Sequence, residues 1–66
     1  MSEVFSSNAL KILNDKIRII MNEYADNISS GSCRNMEEYS KAVGVIEGLA
    51  LAERELLDLN KQIGQD

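Results

Sequence analysis

Apolar residues in the first half of the chain recur at steps of three and four: Leu10, Leu13, Ile17, Ile20 and Tyr24, with Met21 and Ile28 beside them. Side chains so spaced share one face of an α-helix, and the pattern predicts a helix over about 6–29. Ser6 or Ser7 is the candidate N-cap, with Ser2 serving instead if Val4 and Phe5 are helical. The stretch "NISSGS" interrupts the pattern with residues that favour turns, and Gly31 is placed to take the left-handed conformation that ends a helix. A second start follows at once. Asn35 precedes Glu38 by three residues, a capping-box variant with Asn in place of Ser or Thr. The periodicity then runs to about Ile63, with no proline to break it. A short connection, residues 29–35, folds two such helices back on each other. The expected fold is therefore all-α: an antiparallel two-helix hairpin forming one domain over 1–66, with no strand. Residues equally far from the turn should meet, Ile20 near Ile46 and Ile17 near Leu49.

The second helix carries more apolar surface than one neighbour covers. One stripe is Met36, Tyr39, Val43, Ile46, Ala50 and Leu57, interrupted by Glu53; the other is Ala42, Val45, Leu49, Ala52, Leu56, Leu59 and Ile63. At about 100° per residue the two stripes are offset by about 100°, close to half the helix in all. The first helix has a further row off its main face, Phe5, Ile12 and Ile19. A lone hairpin would leave these rows in water, as a patch larger than monomers ordinarily expose. Self-association into a four-helix bundle or a ring of hairpins resolves this most simply. The plainer alternative is a fraying hairpin that docks on a different partner. Gly44, Gly48 and Ala52 add a strip of small residues four apart, suited to a close helix crossing, although glycines on a solvated face would give the same pattern. Each glycine costs the helix about 1 kcal/mol relative to alanine. The candidate interaction residues are thus Phe5, Ile12, Ile19, Gly44, Val45, Gly48, Leu49, Ala52, Leu56 and Leu59.

Charge and chemistry change this picture little. Seven basic and eleven acidic residues leave a net charge of −4, which gives nucleic acid no basic patch to bind. The segment "MSEVFSS" lacks the basic and apolar regions of a signal peptide, and no stretch is long and apolar enough to span a membrane. One cysteine, Cys33, forms no internal disulfide and fits a reducing compartment. The expectation is a soluble intracellular chain. There is no histidine, the commonest general base and metal ligand. Glu37/Glu38 and Glu53/Glu55 are too close in sequence to converge from one helix. "GVIEG" falls in mid-helix, where no phosphate loop lies. Cys33 beside Arg34 has an environment that lowers a thiol pKa, but no base to assist it. Ser32, Arg34 and Asn35, at a helix N-terminus, form a possible anion site of a kind that any capped helix offers. No catalytic residue, cofactor or metal is called for.

The stretch "SGSCRNMEEYSKAVGVIEGLALAERELLDL" resembles a pattern in small uncharacterised helical proteins of tailed bacteriophages: an "SG-x-C" turn, then "EEY", "G-x-I-x-GL" and a tail rich in Ala, Glu and Leu. The resemblance covers about the second half of the chain and rests on Gly31, Cys33, Tyr39, Gly44, Gly48 and Leu49. It implies a product of a phage structural gene module and supplies no active site. The resulting expectation is a non-enzymatic virion protein that oligomerises or packs on a larger head, portal or tail protein, without nucleic acid or membrane. The alternative is an early phage protein, in the cytoplasm of the infected host, that inhibits a host enzyme or sequesters a signalling nucleotide.

Overall fold

The computed structural model describes residues 5–64, which form two helices: α1, Asn8–Ser29, and α2, Met36–Gly64. They pack side by side as an antiparallel hairpin 48 Å long and 19 by 15 Å across. No strand occurs among the described residues. Ser2, Val4 and the ends of the 1–66 domain lie outside them. Its radius of gyration, 14.4 Å, exceeds the roughly 11 Å of a compact domain of this length.

Each end of the hairpin has its own device. Ser7 is the N-cap of α1 through its backbone, with no side-chain cap, and its carbonyl accepts the Lys11 N–H at 3.2 Å. At the other end of α1 the chain closes in a Schellman motif. The Gly31 N–H donates to the Ile28 carbonyl at 3.3 Å and the Ser32 N–H to that of Asn27 at 3.1 Å, with Gly31 at φ 77°. Glycine enters that conformation at no steric cost. The start of α2 is capped by Asn35, whose Oδ1 accepts the Glu38 N–H at 2.9 Å. The reciprocal bond is shifted by one residue, because the Glu38 carboxylate accepts the N–H of Arg34 at 3.0 Å and not that of Asn35. At the open end, the Ser6 N–H donates to Asn60 Oδ1 at 2.8 Å. A Cβ added to Gly64 would come within 2.8 Å of Ser6 Oγ, so Ser6 and the last residue of α2 pass close together.

The seam between the helices is not the stripe that hydrophobicity alone selects. On α1 it runs Leu10, Asn14, Ile17, Met21, Tyr24 and Ile28, all buried or half-buried at alternating steps of four and three. On α2 the buried residues are Ala42, Glu53, Leu56 and Asn60, with Ile46 and Leu49 half-buried at the intervening steps. Leu13 and Ile20, expected on the inner face of α1, are 47% and 40% exposed. Asn14, Glu53 and Asn60 take seam positions, and the inner face of α1 is rotated about 40° from the aliphatic stripe. On α2 the seam runs between the two expected stripes. The expected register holds, since Ser6 reaches Asn60 and Tyr24 lines one hollow with Ala42. Ile17 and Leu49 fall inside the seam, whereas Ile20 turns outward.

Candidate functional site

Three polar side chains in the seam shape what the hairpin can do alone. Glu53 is 8% exposed, and its carboxylate accepts from Arg18 Nε at 2.6 Å, the Arg18 side chain lying over the seam from a half-exposed position. Asn60 is 4% exposed and holds the Ser6 N–H. Asn14 Oδ1 is buried with no hydrogen-bond partner. A buried acceptor left unsatisfied costs about 1–3 kcal/mol. Among the described residues the purely apolar buried ones number three, Ile17, Ala42 and Leu56, and no side chain is fully enclosed. A core this thin makes a marginal monomer.

The exposed aliphatic side chains lie outside the seam, and four of them, Leu13, Ile20, Leu59 and Ile63, share one side. On α1, Leu13, Lys16, Ile20 and Glu23 sit about 60–140° round from the seam centre. On α2, Glu37, Lys41, Val45, Gly48, Ala52, Glu55, Leu59 and Ile63 sit about 60–140° round in the same rotational sense relative to chain direction. Because the helices run in opposite directions, the same sense brings both sets to one face of the hairpin. The hollow at the turn end, lined by Asn27, Glu38 and Lys41 together, confirms that these two flanks adjoin. Lys11, Asp15 and Asn22 of α1 and Glu47, Arg54 and Asp58 of α2 fall on the opposite face, where Lys11 Nζ pairs with Asp15 at 3.1 Å. The open face thus mixes Leu13, Ile20, Val45, Leu59 and Ile63 with charged residues, and the opposite face carries more charge together with the other α2 stripe, Met36, Tyr39, Val43, Ala50 and Leu57.

The ten candidate interaction residues divide accordingly. Leu56 does not belong to an outer surface: at 6% exposed it is consumed by the hairpin's own core. Val45 and Leu49 are half-buried on the border between seam and open face, and Phe5 is half-buried ahead of α1. Ala52 and Leu59 lie on the open face, Leu59 at 45% exposed. Ile12 and Ile19, 48% and 58% exposed, point away from α2 along the outer edge of α1. Leu51, Met36 and Tyr39 are exposed outside the open face. Gly44 and Gly48 are exposed, and a Cβ added to either meets no atom within 4 Å. Neither glycine is therefore required by the packing of α1 on α2.

The turn holds less. Ser32 Oγ is 2.8 Å from Ser30 Oγ, Asn35 Oδ1 is engaged by Glu38, and the Glu38 carboxylate itself occupies the start of α2. Cys33 is a free, half-buried thiol at the edge of the hollow beside Tyr24 and Lys41. Among the described residues no group of three or more Cys, Asp or Glu is arranged to hold a metal, and no helix is long and apolar enough to cross a membrane. Sequence reasoning overlooked Glu53, Asn60 and Asn14 as seam residues. The signal that finds them is the unbroken four-three spacing of 10-14-17-21-24-28 and 42-46-49-53-56-60, read without regard to polarity. No protein-family model, curated protein or solved structure matches the chain.

Proposed function

We propose that this protein is a non-enzymatic interaction module of a phage particle, which works by burying its open aliphatic face against another helical surface. The observation that carries the reading is the placement of apolar residues: Leu13, Ile20, Leu59 and Ile63 are each 40% or more exposed, while Glu53 and Asn60 are buried. An open apolar face on so small a chain marks a protein–protein contact. The face is served by a second hairpin, by a larger head, portal or tail protein, or by both in turn. The phage setting is supported by the resemblance around Gly31, Cys33, Tyr39, Gly44, Gly48 and Leu49. Quantitative mass spectrometry of purified particles of the encoding phage tests it. Several copies per virion are expected. Early expression together with absence from the particle would overturn the virion assignment and leave the contact surface to be matched to a host protein.

A further inference from the structure

We infer that the open face takes a second copy of this chain laid in parallel, with both turns at one end, so that α1 of each copy packs on α2 of the other in a four-helix bundle. This rests on the reading of that face as an interface and adds the partner and its orientation.

The argument comes from how polar and aliphatic side chains are distributed along this face. Both helices supply aliphatic side chains to it, whereas on the opposite face the apolar stripe belongs to α2 and α1 sets Lys11, Asp15, Arg18 and Asn22 beside it. Lengthwise, the open face is divided. Its turn end carries Glu23 and Asn27 of α1 with Glu37 and Lys41 of α2, all exposed and none of them aliphatic. Every large aliphatic residue of the face, from Ile20 and Val45 to Leu13, Leu59 and Ile63, lies between there and the open end, where Lys16 and Glu55 are the charged residues. A copy laid in parallel therefore meets polar with polar and aliphatic with aliphatic. A copy turned end for end lays Glu37 on Leu59.

The register fixes the pairings. With Ser6 on Asn60 and Tyr24 beside Ala42, Val45 lies within about 2 Å of the level of Ile20, Ala52 within about 2 Å of Leu13, and Lys41 within about 3 Å of Glu23. A two-fold axis along the hairpin keeps those levels, so Glu23 of each copy meets Lys41 of the other and the pairing occurs twice. Ile20 comes down between Val45 and Gly48 of the second copy, where the glycine leaves room for it. Lys16 and Glu55 of the second copy stand about 7 Å apart in level and lean towards each other, because helical side chains slope to the N-terminus and these helices run oppositely. Glu37 falls beside Asn27, in the polar end, and no like charges are opposed. Within one hairpin, neither Glu23, Lys41, Lys16 nor Glu55 joins an ion pair or a side-chain hydrogen bond among the described residues.

Sedimentation of the full chain, combined with charge exchange and one distance, tests the inference. The wild type should sediment as a dimer. Lys41→Glu should weaken association about tenfold, since two pairings become repulsive, and adding Glu23→Lys should restore it. An end-for-end dimer would leave that double variant weak, because Lys41 would then face Glu55 and Glu23 would face Lys16. With Cys33→Ser as background, nitroxides attached at Ser32→Cys should lie about 10–25 Å apart by pulsed electron spin resonance, both turns being at one end of the bundle. Nitroxides roughly 40 Å apart would place the turns at opposite ends of a hairpin 48 Å long. That distance, or a double variant no tighter than Lys41→Glu alone, would overturn the parallel arrangement. A helical monomer throughout would overturn the inference and leave the proposed function resting on a larger partner.

Discussion

The seam between the helices and the open face beside it have exchanged the usual characters of inside and outside. The seam holds a carboxylate, two carboxamides and a modest aliphatic core; the open face holds Leu13, Ile20, Val45, Leu59 and Ile63. Fully exposed polar groups interact favourably with water, whereas buried ones must find partners, and Asn14 Oδ1 has found none. The contrast teaches that the hairpin is specified more firmly than it is stabilised. Asn60 on the Ser6 amide and Arg18 on Glu53 fix which residues face each other, as polar groups at seam positions do in coiled coils, at a cost in stability. Under the proposed function, the remaining stabilisation comes from covering the open face.

The sharpest way to break the comparison is to truncate one leucine from each region. Leu56→Ala, in the seam, should cost about 2–4 kcal/mol and lose much of the helical circular dichroism at room temperature. Leu59→Ala, three residues on, should leave the helicity of the dilute hairpin within about 0.5 kcal/mol of wild type while weakening association. Equal losses of helicity from both would erase the distinction between seam and face.

Asn14→Leu sharpens the same contrast from the other side. Replacing a buried, unpartnered amide oxygen with an aliphatic side chain should stabilise the hairpin by about 1–2 kcal/mol in denaturant titrations. A destabilised variant would mean that the Asn14 amide has a bonding role in the seam.

How far the sequence carried this account depends on the kind of residue. The turn was legible because its chemistry is local: φ 77° at position 31 favours glycine, and Asn35 with Glu38 announces a helix start. The seam was not legible from apolar periodicity, because Asn14, Glu53 and Asn60 occupy three of its positions and the aliphatic stripe drifts to one side of them. The open face was foreseen as surplus area, yet Leu56 was assigned to it, since on α2 the seam and the face are adjacent rows of one apolar arc. Which flank of α1 joins which flank of α2 required the register.

Two glycine substitutions complete the series with smaller effects. Gly31→Ala should destabilise by about 1 kcal/mol, since a Cβ strains the left-handed conformation; an unchanged melting temperature would mean that the turn can rearrange freely. Gly48→Ala should stabilise the dissociated hairpin by about 0.5–1 kcal/mol, because no atom lies near the added methyl and alanine favours helix. Gly48→Leu should share that gain in the isolated hairpin yet lose assembly, since overpacking a close crossing costs about 1–3 kcal/mol. A Gly48→Leu chain that assembles as before would remove Gly48 from the contact and reduce it to solvated surface.

The central claim is that the fold is completed by covering the open face with another copy, and the concentration dependence of the thermal midpoint tests it most directly. Association that favours the folded state raises that midpoint by mass action. Melts followed by circular dichroism across a hundredfold range of protein concentration should show the midpoint rising steadily, with the rise abolished by Leu59→Asp. A wild-type midpoint that stays constant over that range, in a fully helical and reversible chain, would contradict the account.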